Sequence, residues 1–217
     1  MNVINSPSIE KLKHYLTTHF PNLELCAPLF YKTAVGIRFE IGAPDIPSHD
    51  PRYLKFVYMR SQILFNQVFS KNESMFLVVN STELKDKLSQ TSEGIDVFRK
   101  YLTNKNRFEE VKHIELPHVY GDENLTTHRY FLLCKVSDVD YKGLLTAIGN
   151  NDLGVEPKVK EEVFFINTEN HVIFHLYDDR GLDIVAEEKQ VLRGLYHRYN
   201  DWIFNYDRNK IDLIFNN

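Results

Sequence analysis

Three short apolar runs, each ending at turn residues, constrain the fold of this 217-residue chain more than any other feature. Residues 163–167, 171–177 and 182–186 are rich in β-branched and aromatic side chains, and polar turns separate them. Runs of this length, composition and spacing are typical of consecutive antiparallel strands. The sequence therefore predicts a β-meander near the end of the chain.

Further helices and strands are predicted on both sides of the meander. After it, one apolar stripe at helical spacing predicts a long helix over 187–206, and 211–215 is interpreted as a last short strand. Before it, 35–41 alternates like a strand that is buried on one side. The periodicity of 52–70 is helical, and 75–79 is apolar throughout, as in a strand covered on both faces. A strand, a helix and a strand in this order predict a crossover with one parallel pair.

These elements together predict an α+β fold class: a mixed, mostly antiparallel sheet covered by helices, which ends in the β-meander and the long C-terminal helix. The polar segment 152–162 contains a glycine and a proline and is the one internal boundary that the sequence suggests. We expect a single α+β domain over 1–217. Within it, 1–151 is the N-terminal part and 163–217 is the C-terminal module that bears the motifs.

Composition and charge exclude several classes of protein. Lys and Arg number 26, Asp and Glu number 30, and the formal net charge is −4, so nucleic-acid binding, which needs clustered cations, is not expected. No apolar run approaches the roughly 18 residues that a membrane helix needs. The two cysteines make no disulfide framework and the first residues lack the pattern of a secretory signal, so a cytoplasmic protein is expected.

Two polar motifs stand in the C-terminal module. The first is D-D-R-G, formed by Asp178, Asp179, Arg180 and Gly181. The second is Y-N-D-W-I, formed by Tyr199, Asn200, Asp201, Trp202 and Ile203. With these motifs in this order, the chain resembles a bacterial family of domains of unknown function, numbered 3885, and the stretch G-I-R-F-E-I-G at 36–42 is similar as well. The resemblance implies a bacterial origin, and it transfers no catalytic residue, substrate or cofactor.

The D-D-R-G motif joins two predicted strands, so we expect it to form the tip of a hairpin rather than a helix end. A type I turn followed by Gly181 at positive φ would close such a hairpin. The turn accounts for Gly181 and for one aspartate. It does not require Arg180.

The Y-N-D-W-I motif falls on the predicted C-terminal helix. Tyr199 and Trp202 lie on its apolar stripe, which places Trp202 in the core, while Asn200 and Asp201 lie on other faces. An ion pair between Arg180 and Asp201 would tie the hairpin to the helix and give both motifs one role. We therefore expect that contact.

Histidine spacing does not predict a metal site. His171 and His175 lie in one predicted strand, where they would stand about 13 Å apart and could not share one ion. Two other pairs also have spacings that do not favour chelation: His14 with His19, and His113 with His118.

Four carboxylates crowd the predicted hairpin end: Asp178, Asp179, Asp183 and Glu187. Carboxylate oxygens suit Mg²⁺, and a bound Mg²⁺ assists phosphodiester hydrolysis. With His175 as base and Arg180 as anion clamp, these residues suggest an alternative function. It is that of a metal-dependent hydrolase acting on a phosphodiester or a nucleotide.

No P-loop, dinucleotide-binding glycine pattern, nucleophile elbow or zinc-protease motif occurs in the sequence. We therefore assign no catalytic residue, expect no cofactor and favour a protein that is not an enzyme. The leading hypothesis is a non-catalytic binding protein, such as an immunity or antitoxin-like partner of a bacterial toxin, by analogy with other small bacterial domains. A protein partner is thus expected, and the sequence does not indicate the oligomeric state.

Overall fold

The computed structural model describes residues 7–85 and 93–216. Within these ranges seven strands form one sheet: β1 (Gly36–Glu40), β2 (Ser74–Leu84), β3 (Lys112–Pro117), β4 (Leu125–Lys135), β5 (Glu162–Asn167), β6 (Val172–Leu176) and β7 (Gly181–Ala186). Their order across the sheet is β1-β7-β6-β5-β2-β4-β3, and every neighbouring pair is antiparallel. The predicted α+β fold and its β-meander, β5 to β7, are confirmed.

Helices cover both faces of the sheet. The described chain has six α-helices: α1 (Pro7–His19), α2 (Pro51–Val68), α3 (Gly94–Tyr101), α4 (Tyr141–Gly149), α5 (Lys189–Arg198) and α6 (Arg208–Phe215). Helices α2 to α6 pack on one face and build the main core. Helix α1 and the 3₁₀ segment Leu29–Lys32 pack on the other face. The central strands are therefore buried on both sides, as the apolar run 75–79 predicts.

In helix α2, which follows β1, the local sequence explains where the helix begins and which face it buries. Asp50 caps it by accepting a hydrogen bond from the Arg52 backbone N–H at 2.8 Å, and Pro51 occupies the first helical turn. The helix buries a stripe that includes Val57, Leu64 and Phe65 against the sheet. It ends where Phe69 takes an extended conformation.

The predicted parallel pair of strands is wrong. Strands β1 and β2 run in the same direction, but β7, β6 and β5 lie between them. The edge strand β1 pairs instead with β7, from Gly36 opposite Val185 to Glu40 opposite Gly181. Local periodicity identified the strands, whereas pairing depends on contacts between distant segments.

The predicted long helix over 187–206 is also interrupted. Helix α5 ends at Arg198, and two 3₁₀ turns follow, Asn200–Trp202 and Asn205–Asp207. The chain leaves the helix because Ile203 forms a β-bridge with Phe39 of β1, and tertiary contacts of this kind override helix propensity. The predicted strand over 211–215 is instead part of α6, since its buried side chains are spaced four residues apart.

Strands β5, β6 and β7 follow the polar segment 152–162, yet they lie between β1 and β2, which precede it. We propose on this basis that the chain unfolds as one domain. No helix among the described residues is both long and apolar enough to cross a membrane.

Candidate functional site

The D-D-R-G motif forms the turn between β6 and β7, so the predicted hairpin tip is confirmed. Asp178 organises it. One carboxylate oxygen accepts hydrogen bonds from the backbone N–H groups of Arg180 and Gly181, both at 2.8 Å. The other oxygen pairs with the Arg180 guanidinium at 2.6 Å. An aspartate that binds the backbone two and three residues ahead is a common way to stabilise a turn.

Gly181 is required for a different reason from the predicted one. The described glycines with positive φ are Gly121 and Gly154, whereas Gly181 begins β7. A Cβ atom at position 181 would overlap the Tyr177 hydroxyl and the ring atoms next to it. The expectation of positive φ at Gly181 is therefore wrong, and the glycine is needed because a side chain approaches its backbone closely.

We expect Gly181→Ala to lower the free energy of unfolding by about 1–3 kcal/mol, because the new methyl group displaces Tyr177. Gly194→Ala in α5 is the matched control, since a Cβ there meets nothing within 4 Å. Replacing a glycine inside a helix with alanine should stabilise by about 0.5–1 kcal/mol. Urea denaturation measures both variants, and a Gly181→Ala protein as stable as the wild type would contradict the close approach.

Asp179 ties the same turn to α2. The Tyr53 hydroxyl donates a hydrogen bond to the buried Asp179 carboxylate at 2.8 Å. Burial raises the pKa of Tyr53, and this hydrogen bond raises it further. The turn also holds the end of β1, because the Ile41 backbone N–H donates to the Arg180 carbonyl at 3.0 Å.

The Y-N-D-W-I motif lies along the other edge of β1. Ile203 bridges Phe39, and the Phe204 N–H donates to the Arg38 carbonyl at 2.8 Å. Trp202 is partly buried against the main core, and the Arg60 guanidinium lies 5.1 Å from its ring centroid. The motif therefore covers the edge of the sheet, in addition to packing Trp202 on the core.

The polar residues of this motif, Asn200 and Asp201, do not contact the D-D-R-G turn. The Asn200 side-chain oxygen accepts a hydrogen bond from Arg208 at 2.8 Å, and Asp201 is exposed. Among the placed residues, Arg180 pairs with Asp178 and Asp152 and not with Asp201. The predicted Arg180–Asp201 ion pair is therefore wrong. The two motifs flank β1 from opposite sides, which keeps these charges apart.

Arg38, in the middle of β1, lies between the two motifs. Its guanidinium contacts Asp183 at 3.2 Å, Asp207 at 3.0 Å and the Tyr177 hydroxyl at 2.9 Å. Both carboxylates are buried, and 15% of the Arg38 side chain is exposed. Burial opposes the charge on Arg38, but Tyr177 and Asp183 hold its pKa above the usual value. Strand β7, the β6–β7 turn and the segment before α6 thus each contribute a partner to one cation on β1.

Asp183 faces Arg38 from β7 and also anchors the 3₁₀ segment on the same face. Its carboxylate accepts a hydrogen bond from the Phe30 N–H at 3.0 Å. Burial raises the pKa of Asp183, while this N–H and Arg38 oppose the rise. The cost of burying the carboxylate is therefore reduced by a cation and a backbone donor.

His175 lies opposite Asp183 on β6 but has no exposed surface. Its Nδ1 is 2.9 Å from the Val163 carbonyl, and its ring stacks on Phe164 at 4.2 Å between centroids. Burial lowers the pKa of His175 below its usual value. A neutral imidazole without contact to solvent is poorly placed to act as a base on a substrate.

The four carboxylates of the hydrolase hypothesis do not converge within the described ranges. Asp178 binds its own turn, Asp179 binds Tyr53 and Asp183 faces Arg38. The Glu187 carboxylate pairs with His19 instead, with 2.8 Å between the Glu187 Oε2 and the His19 Nδ1.

A different cluster of metal-ligand side chains does form. His19, His171 and Glu187 each place one donor atom within 4.8 Å of the others. The two imidazole rings stack with centroids 3.7 Å apart. The sequence did not indicate this cluster, because its members are distant along the chain. Only pairs of histidines that are close in sequence were considered as possible metal ligands.

Comparisons with known proteins agree with the resemblance noted from the motifs. The family described as "Domain of unknown function (DUF3885)" matches residues 12–207. The "Uncharacterized protein YnaE" of Bacillus subtilis (strain 168) is 30% identical, over 88% of this chain and 96% of YnaE. No solved structure matches the chain.

Proposed function

The chain belongs to the DUF3885 family, and from this premise we propose that it is a non-catalytic binding protein of the bacterial cytoplasm, an immunity or antitoxin-like partner of a bacterial toxin. The family description assigns neither activity nor ligand, so support must come from the surface of this chain. A protein partner is proposed rather than a nucleic acid, because the formal net charge is −4 and phosphate binding needs clustered cations.

One exposed surface carries the proposal. The C-terminal patch consists of Tyr31, Tyr206, Lys210 and Leu213. The exposed fractions of Tyr31, Tyr206 and Leu213 are 46%, 84% and 66%. Lys210 and Leu213 are three residues apart in α6, which places them on one face of this helix, and Tyr206 lies in the 3₁₀ turn just before it. The Lys210 ammonium lies 5.0 Å from the Tyr31 ring centroid and connects the two parts.

Contacts with buried residues fix the position of the patch. The Tyr31 hydroxyl donates to the buried Asp207 carboxylate at 2.7 Å, and that carboxylate also binds Arg38. Ile211 and Phe215 bury the opposite side of α6 in the core. Tyrosine is enriched at interfaces because it offers a large contact area at low cost in conformational entropy. A surface that is already ordered loses little further entropy on binding.

The competing hydrolase function has weaker support. The carboxylates that it needs are engaged at separate places, and the base that it needs, His175, is buried. Addition of Mg²⁺ should therefore leave the melting temperature unchanged, as mass action requires for a protein without a Mg²⁺ site.

We expect a toxin reading frame directly upstream of the gene for this chain, and co-expression of the chain should restore growth of cells that produce the toxin. Tyr206→Ser combined with Leu213→Ser should weaken binding to the purified toxin by about tenfold or more, since central apolar contacts dominate interface energies. Met59→Ser is the matched control, because Met59 is 43% exposed on α2, a different helix. Isothermal titration with the purified toxin measures the affinity of the wild type, of the double variant and of the Met59→Ser control.

Three outcomes would contradict the proposal. One is an upstream frame that encodes no toxin, and another is a toxin whose effect on growth is unchanged by the chain. The third is a patch variant that binds and protects as well as the Met59→Ser control. The substituted side chains are solvent-exposed, so we expect circular dichroism to show both variants folded like the wild type.

A further inference from the structure

A second cluster of side chains lies outside the C-terminal patch and outside the Arg38 network. His19 is the last residue of α1, His171 lies in the β5–β6 turn and Glu187 directly follows β7. Their donor atoms all lie within 4.8 Å of one another. We propose that these three side chains form a Zn²⁺-binding site with one open coordination position.

The hydrogen bonds of His171 prepare it as a ligand. The Tyr15 hydroxyl donates its one hydrogen to the Asn167 carbonyl at 3.0 Å, so its oxygen accepts from the His171 Nδ1–H, also at 3.0 Å. The proton of the neutral ring is therefore on Nδ1, and Nε2 keeps a free lone pair. A second partner that fixes the tautomer in this way is typical of histidines that bind metal.

His19 and Glu187 complete the donor set. The His19 Nδ1 and the Glu187 Oε2 are 2.8 Å apart, close enough to share either a proton or a cation. The rings of His19 and His171 are nearly parallel, at 12°, and stack face to face, so the two imidazoles lie next to each other at the cluster. Both side chains of the His19–Glu187 pair are partly exposed, so an ion can enter from solvent.

The backbone holds the two ends of the cluster together. The Glu187 N–H donates to the His171 carbonyl at 3.1 Å. His171 has φ of 50°, in the left-handed region that costs energy for a residue other than glycine. This conformation sets the direction of the His171 side chain from the turn.

The chemistry of the donors favours Zn²⁺. Two imidazoles and one carboxylate are the protein ligands of many zinc sites that keep a fourth position open. A cavity of about 380 Å³ borders His19 and Glu187 and also reaches Lys32 and Thr33. It leaves space for a water molecule or an exchangeable ligand on the ion.

The test is titration of metal-free, tag-free protein with ZnCl₂ by calorimetry, with Co²⁺ absorption as the second measurement. We expect one Zn²⁺ per chain and a Co²⁺ spectrum of a tetrahedral N/O site. His171→Asn and Glu187→Gln should each weaken binding by more than about tenfold. Asparagine tolerates the left-handed backbone, and Glu187 is solvent-exposed, so both variants should keep the fold.

The control is His128→Gln, because His113 and His128 form another histidine pair, with 3.0 Å between ring nitrogens. That variant should bind Zn²⁺ like the wild type. Absence of stoichiometric binding by the wild type would overturn the proposal, as would unchanged affinity in His171→Asn and Glu187→Gln. Loss of binding in His128→Gln alone would assign the metal to the other pair and would overturn it too. None of these results depends on toxin binding, so the two proposals fail separately.

Discussion

Replacement of Arg38 with methionine is expected to lower the free energy of unfolding by about 3–5 kcal/mol. The change leaves Asp183 and Asp207 buried without their counter-charge, because the Arg38 guanidinium lies 3.2 Å and 3.0 Å from these carboxylates. Methionine retains the apolar length of the side chain, so the loss reports the charge rather than a cavity.

Guanidinium denaturation of Arg38→Met, Asp183→Asn and the double variant forms a thermodynamic cycle that isolates the coupling between the two residues. Arg180→Met is the matched control, since 68% of the Arg180 side chain is exposed and its pairs should contribute no more than about 1 kcal/mol. A cost for Arg38→Met that equals the cost for Arg180→Met would show that the network around Arg38 is not what holds β1.

Truncation of Phe65 to alanine should also cost about 3–5 kcal/mol, through the cavity that it leaves in the main core. The Phe65 ring stacks on Phe69 and Tyr141 at 4.3 Å and 4.4 Å, and it meets Phe165 and Phe174 edge-on at 5.1 Å and 5.2 Å. Neighbours from α4, from the residue after α2 and from two strands cannot all collapse into the space.

Met59→Ala on the same helix is the control, because Met59 is exposed and its truncation should change stability by about 0.5 kcal/mol or less. Thermal unfolding followed by circular dichroism measures both variants. Similar melting temperatures for the two would contradict the position of Phe65 at the centre of the core.

The elements predicted best were those set by neighbouring residues. The meander, the turn at Asp178 and the helix after Asp50 each depend on side chains a few positions away, so one sequence contains their signals. The strand over 75–79 was recognised because burial on both faces requires an unbroken apolar run.

The errors have a common physical cause, which is pairing between distant segments. The bridge between Phe39 and Ile203 breaks a helix that the local periodicity of 187–206 favours. The insertion of β7 beside β1 removes the expected parallel pair, and the approach of Tyr177 explains Gly181. None of these contacts leaves a periodic trace in the sequence.

The candidate site was predicted only in part for the same reason. The D-D-R-G and Y-N-D-W-I residues were identified as a set, and both segments contact β1, but the expected ion pair between them is not formed. Arg38 lies in the stretch 35–41, which was predicted to be buried on one side only, and its two buried carboxylate partners come from β7 and from the segment before α6. The His19 cluster joins three elements that are distant along the chain.

The central claim is that the two motifs, one on each side, hold the edge strand β1 as one cooperative unit. Amide hydrogen exchange in Asp178→Ala tests it most directly, because this change removes the acceptor that organises the D-D-R-G turn. The amides of Ile41 and Phe204, which donate to the carbonyls of Arg180 and Arg38 respectively, should then exchange faster together, while Leu132 in β4, far from β1 in the sheet, stays protected. Faster exchange at Gly181 with unchanged exchange at Phe204 would contradict the claim, since the two motifs would then act independently.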